Sequence, residues 1–186
     1  MNPEPHQHAV FLVALAVVGI AAWFDWRRGE IPNWLTYGAI LVAPILHVAR
    51  FLSVSYPMDV ALTEGGFSIG GAVLTALVPA LMYRQGAIGG GDVKLLLALG
   101  ALLQPMLGVE AEMYGFFAAA LVAPARLAYE GKLIATLKNA GTILMNLFLP
   151  KAKQRTVAEA AMSWFRLGPA LFFGVALTVY LHWHAR

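Results

Sequence analysis

Six apolar runs divide this chain, at residues 9–24, 34–54, 67–83, 93–109, 113–129 and 167–184. No other feature limits the fold as severely, because a run of this kind is stable as a helix that crosses a bilayer. Several are slightly shorter than the roughly 20 residues an untilted span needs, and flanking Trp, Tyr, Lys and Arg make up the difference by reaching the headgroups. Composition agrees: 60% of the 186 residues are hydrophobic and 12% are charged, about half the charged share of a soluble domain. The expected fold class is all-α, a polytopic membrane helix bundle with six transmembrane helices.

Orientation follows from Lys and Arg, which are retained on the cytoplasmic side of short loops. With the N-terminus outside, the inner loops hold Arg27, Arg28, Arg84, Lys94, Arg126, Lys132, Lys138, Lys151, Lys153, Arg155 and Arg166, leaving Arg50 and Arg186 outside. The net charge of +3 then reflects membrane orientation, and no nucleic-acid partner is implied. The first run differs from a secretory signal because "MNPEPHQH" has no Lys or Arg and the positive pair follows it in "WRRGE"; it is expected to be a retained anchor.

Histidine and cysteine carry little chemistry here. His6, His8, His47, His182 and His184 all fall at or near the outer face, without zinc-type spacing such as HExxH, and are expected to be polar interfacial residues. Cysteine is absent, which excludes thiol nucleophiles, disulfides and thiolate metal sites. Residues 130–166 contain an apolar stretch broken by Lys138, Asn139 and Asn146, then a basic patch. Leu133, Ile134, Leu137, Leu144 and Leu147 approximate one helical face, so a helix lying in the cytoplasmic interface is expected over 133–149; the alternative, a seventh span, would export the basic patch.

The acids are more informative. Asp59 and Glu64 lie in "SYPMDVALTEGG", an expected outer loop, and read as solvated loop residues. Asp25 ends the first apolar run in "AAWFDWRRGEIPNWLTYG", and Asp92 begins the fourth in "GAIGGGDVKLLLALG". Since the first span runs inward and the fourth runs back, both carboxylates stand at the cytoplasmic end of a membrane helix. Taken singly, each has a plain reading: Asp25 pairs with Arg27 or Arg28, and Asp92 sits where a helix dipole favours an acid. Taken together they form a candidate dyad, because two carboxylates brought close in a poorly solvated site share a proton and titrate as a unit. In such a pair one carboxylate activates water while its protonated partner polarises a carbonyl.

The glycines before Asp92 suit an extended substrate. Gly86, Gly89, Gly90 and Gly91 leave room for a second backbone to approach. A phosphate-binding loop is excluded by the spacing: Lys94 does not directly follow the glycines and is not followed by Ser or Thr, and no strand precedes it.

"GGGDVKLLLALGALL", with Gly89, Gly91 and Asp92 on the motif positions, resembles the G-x-G-D-x-K followed by an apolar helix of the type IV prepilin and preflagellin peptidase family. "FDWRRGEIPNWLT" is similar to that family's first-aspartate region. The resemblance covers most of the chain and implies one integral membrane peptidase domain over residues 1–186, in a bacterial or archaeal cytoplasmic membrane. It implies an aspartic endopeptidase that needs no metal or other cofactor, whose partners are the bilayer and a prepilin-like substrate. The basic leader of that substrate is cut at the cytoplasmic face. Carried over by position, the catalytic pair is Asp25 and Asp92, with Gly89, Gly90, Gly91 and Lys94 shaping the site or touching substrate. Members that also methylate the new N-terminus carry a cytoplasmic insert with paired cysteines. This chain has neither, and so resembles the compact branch of the Flp or tight-adherence pilus type. A noncatalytic component of pilus assembly and a small proton-coupled transporter are the alternatives from other classes.

Overall fold

The computed structural model describes residues 7–86, 88–129, 131, 134, 138, 142 and 166–183, and among these it forms helices and turns without strands. Four helices are long and apolar enough to cross a membrane: α1 (His8–Arg28), α2 (Asn33–Ser53), α3 (Met58–Arg84) and α4 (Gly90–Tyr129). A fifth, α5 (Gly168–His182), is apolar but has 15 residues. The all-α membrane bundle expected from the apolar runs is therefore present.

The chain divides into two compact units, Met1–Ala118 with Arg166–Arg186, and Ala119–Phe165. In the second unit the Thr142 hydroxyl donates to the Lys138 carbonyl at 2.9 Å, one helical turn back. The interfacial helix expected over 133–149 otherwise lies outside the described residues, as do His6, His184 and the basic patch. In the first unit α1 packs against α2 and α5, and α2 packs against α3.

Helix α4 departs from the expected boundaries. Its 40 residues would measure about 60 Å if straight, twice a bilayer core of about 30 Å. The backbone breaks at Gln104, whose φ of 62° and ψ of 176° are not helical. The next residue supplies the cause: Pro105 disfavours the helical region for the residue before it and has no N–H to continue the ladder. A Cβ built on Gly108 would lie 3.0 Å from the Gly100 Cα, whereas eight residues of straight helix would separate those positions by about 12 Å. The two arms of α4 thus double back as a helical hairpin. The expected interruption at residues 110–112 is corrected to Gln104, six residues earlier, and this places Glu110 and Glu112 inside the second arm.

Breaking a helix in an apolar bundle strands its carbonyls, and each stranded group has to find a donor. The Ala101 carbonyl, which residue 105 would ordinarily bond, accepts the Ser68 hydroxyl of α3 at 2.7 Å. The Leu102 carbonyl accepts Nε2 of His47 from α2 at 2.9 Å. A carbonyl only accepts, so Nε2 carries the hydrogen and Nδ1 is left a bare acceptor. The Gln104 amide donates to the Glu64 carboxylate at 2.9 Å and to its backbone carbonyl at 3.2 Å. His47, expected at the interface, is instead 2% exposed and serves the break. Asp59 and Glu64 are likewise moved from a loop into α3, which begins nine residues before the expected apolar run. Pro57 precedes its first turn and Asp59 stands within it, where an acid is favoured by the dipole.

Close packing rests on small residues, as membrane helices require in the absence of a hydrophobic drive between them. Gly71 of α3 meets the backbone of Gly100 and Gln104, and Gly174 of α5 meets that of Ala111 and Gly115. Gly100 and Ala101 lie on the packed face, while Gly70 has open space beside it. Large apolar side chains such as Leu62, Phe67, Val73 and Leu77 point outward, as suits a surface solvated by lipid.

Candidate active site

Asp25 lies in the last turn of α1 and is 6% exposed. Helix α1 ends three residues later, at Arg28, because Gly29, with φ of 71°, adopts the left-handed conformation that closes a helix, its N–H donating to the Asp25 carbonyl at 2.9 Å. The side chain turns toward α5, where Oδ2 accepts the Gly168 N–H at 2.9 Å. That N–H belongs to the first turn of α5 and has no partner within its own helix. No side chain of Leu167, the N-cap residue of α5, caps it, so Asp25 caps α5 from outside.

Asp92 lies in the first turn of α4. Its Oδ2 accepts the Gly89 N–H at 3.1 Å, and its own N–H donates back to the Gly89 carbonyl at 3.2 Å. This reciprocal pair has the logic of a capping box: the third helical residue holds the amide that precedes the helix. A Cβ on Gly89 would lie 3.3 Å from that same Oδ2, so the glycine suits the close approach.

The structure brings the two aspartates together at one end of the bundle, where they interact electrostatically. Each uses Oδ2 to accept a glycine N–H. An oxygen that accepts an N–H presents a lone pair in that direction, which leaves Oδ1 of each carboxyl for a proton, a water or a substrate. The loop between α1 and α2 ties the two helix ends to each other. Ile31 packs where a Cβ on Gly91 would be, at 3.5 Å, and Asn33 Oδ1 accepts Lys94 Nζ at 2.8 Å. Lys94 also stands 5.3 Å from the centre of the Tyr37 ring, a cation–π distance. Gly90 faces the Tyr83 ring, its Cβ position lying 3.4 Å away.

Two expected partners are replaced. Arg27 lies over the Trp23 ring at 4.5 Å and Arg28 over the Phe24 ring at 5.1 Å. The cation that reaches Asp25 electrostatically is Arg166, whose Nη2 lies 4.0 Å from the Cβ position of Gly29. Trp23, Trp26, Trp34, Tyr37 and Tyr83 are exposed at the same end as the aspartates, an aromatic girdle of the kind that marks a membrane–water interface.

The opposite end carries different pairs. His182 meets Glu110 at 2.9 Å, and His8 Nε2 lies 2.9 Å from the Trp183 carbonyl. Sequence reasoning missed Glu112, which is 8% exposed on the packed face of α4 with Gly108, Ala111 and Gly115. Its only signal was a second acid in the short gap between two apolar runs. Gly168 gave no signal, since its function lies in its backbone.

Fold and site together define a multi-pass membrane helix bundle with two carboxylates, from different helices, within electrostatic reach at one end. The sequence model of the type IV leader peptidase family matches residues 12–124, a stretch that contains both aspartates and the glycines between them. The chain belongs to that family. A curated relative, prepilin peptidase EppA of Methanothermobacter thermautotrophicus, is 39% identical over 104 residues, covering 53% of this chain. That match spans a quarter of the relative's length, 25%. No solved structure matches.

Proposed function

We propose that the protein is an aspartic endopeptidase that removes the basic leader from prepilin-like, Flp-type substrates at the cytoplasmic face of the membrane, with Asp25 and Asp92 as its catalytic pair. The observation that carries this reading is the pairing itself: two carboxylates from different helices, within electrostatic reach of each other, each with Oδ2 held by a glycine amide and Oδ1 without a hydrogen bond among the described residues. Family membership supports cleavage of a leader, and the lack of a cysteine-bearing insert supports the Flp-type branch.

In the hydrolysis, one free carboxylate oxygen takes a proton from water as that water attacks the scissile carbonyl carbon. The protonated partner gives its proton to the carbonyl oxygen, forming a tetrahedral diol. Collapse breaks the C–N bond as the proton first taken from water passes to the departing nitrogen and a diol hydroxyl returns its proton to the other carboxylate, so that the pair is singly protonated again. The roles of base and acid belong to the pair as a unit. Gly89, Gly90 and Gly91 shape the site, since they admit the close approach of the Asp92 carboxylate, the Tyr83 ring and Ile31 respectively. Lys94, held on Asn33, braces α4 against the start of α2.

Six passes fit this reading: α1, α2, α3, the two arms of α4, and α5, with the N-terminus outside. The aromatic girdle at the level of the aspartates then marks the cytoplasmic interface, where the leader is soluble and the product remains a membrane-anchored helix. Cleavage of a Flp-type prepilin by the intact protein, and its loss in Asp25→Asn and Asp92→Asn, is the test; a noncatalytic assembly component would leave the leader in place in all three samples.

A further inference from the structure

We propose that the start of the last helix, Arg166 to Gly168, is a positioning element of the active site that fixes the rotamer of Asp25. This inference rests on the reading of Asp25 as catalytic and goes beyond it. It assigns a role to residues outside the 12–124 stretch that matches the family.

Three observations converge. First, the Gly168 N–H donates to Asp25 Oδ2 at 2.9 Å in a buried setting, and this bond selects which oxygen faces the partner carboxylate. Second, the contact tolerates no side chain at position 168. A Cβ there would lie 2.9 Å from Asp25 Oδ2, 3.0 Å from Asp25 Cβ and 3.1 Å from the Ala22 Cα, so α5 would have to withdraw from α1 or Asp25 rotate away. Both movements break the bond. Third, Arg166 acts on Asp25 electrostatically, and its guanidinium lies beside Gly29, the residue that ends α1. There it also faces the negative end of the α1 dipole.

The consequence is a division of labour between the two carboxylates. Asp92 is held from within its own helix start by Gly89, whereas Asp25 is held by a segment 143 residues away. Seating of α5 therefore sets the alignment of the pair. A dyad competent for attack requires both free oxygens to face the same water, and small displacements of a reacting group carry large rate penalties.

The test uses the full chain and a Flp-type prepilin, measuring kcat and KM for Gly168→Ala, Arg166→Gln, Arg166→Lys and Asp25→Asn, with Gly66→Ala as a control because its Cβ position is open. Folding of each variant is followed by helical circular dichroism and thermal melting. The proposal predicts that Gly168→Ala and Arg166→Gln lower kcat by at least about tenfold with KM changed less than about threefold, and that Arg166→Lys restores most of the loss. Arg166→Gln adds no bulk, so it decides the matter where Gly168→Ala fails to fold. Folded variants of Gly168 and Arg166 with wild-type kcat, or a change confined to KM, beside an inactive Asp25→Asn, would overturn the positioning role and leave the dyad standing. Cleavage by folded Asp25→Asn would overturn the catalytic reading and this proposal with it.

Discussion

Removing one hydroxyl at Ser68 should destabilise the bundle far more than its size suggests. Ser68 is 0% exposed, and its Oγ donates at 2.7 Å to the carbonyl of Ala101, itself 1% exposed. In an unbroken helix that carbonyl would bond the N–H of residue 105, but Pro105 has none. Ser68→Ala therefore leaves a buried acceptor that has lost its hydroxyl donor, with the nearby His47 imidazole already engaged by the Leu102 carbonyl. An orphaned buried acceptor costs about 1–3 kcal/mol, while hydrogen bonds between membrane helices average about 0.6 and reach about 1.7 kcal/mol. A loss near the upper end of the membrane range, about 1.5 kcal/mol, is expected. Reversible unfolding in mixed detergent micelles, followed by the fluorescence of the five tryptophans, measures it. Ser53→Ala is the control, because the Ser53 hydroxyl bonds the Arg50 carbonyl of its own helix in an exposed position. Equal small losses in the two variants would refute the argument that the α4 break is sustained by donors from neighbouring helices.

Gly100→Ala forces a methyl group into the Gly71 backbone and the Thr75 hydroxyl. It should cost about 1–3 kcal/mol in the same assay, whereas Gly70→Ala, with open space, should change stability by less than about 0.5 kcal/mol. Lys94→Met removes the bond to Asn33 and should lower cleavage several-fold, about three- to tenfold, without unfolding, while Lys94→Arg should retain more activity; wild-type rates in Lys94→Met would dismiss the brace. Because the chain has no cysteine, single cysteines report topology: Ser55→Cys should react with an impermeant maleimide added outside intact cells, and Gln85→Cys only after lysis. The reverse pattern would invert the proposed orientation.

The apolar runs made the helical membrane fold legible because hydrocarbon leaves a backbone few choices. The two aspartates were legible for a related reason: carboxylates at the ends of such runs, on helices of opposite direction, have to meet the same interface. The α4 turn was not. A hydropathy reading assigns a loop to the charged residues Glu110 and Glu112, whereas the backbone turns where it loses a donor, at Gln104–Pro105; His47 and Ser68 donate to its carbonyls, and Glu64 accepts the Gln104 side-chain amide. His47, Ser68 and Glu64 acquire that role only through tertiary contact, so their positions along their own helices give no hint of it. The same holds for Arg166 and Gly168. Arg166 reads as an ordinary inner cation and Gly168 gives no signal until α5 is seen against the end of α1.

The most direct measurement is leader cleavage of a Flp-type prepilin by the intact protein, Asp25→Asn and Asp92→Asn. Asparagine keeps an acceptor oxygen for Gly168 or Gly89, so both variants should fold with their caps intact, and what each loses is the carboxylate alone. The account predicts cleavage by the intact protein and an unprocessed prepilin with each folded variant. Cleavage that survives either substitution would contradict the paired-aspartate mechanism.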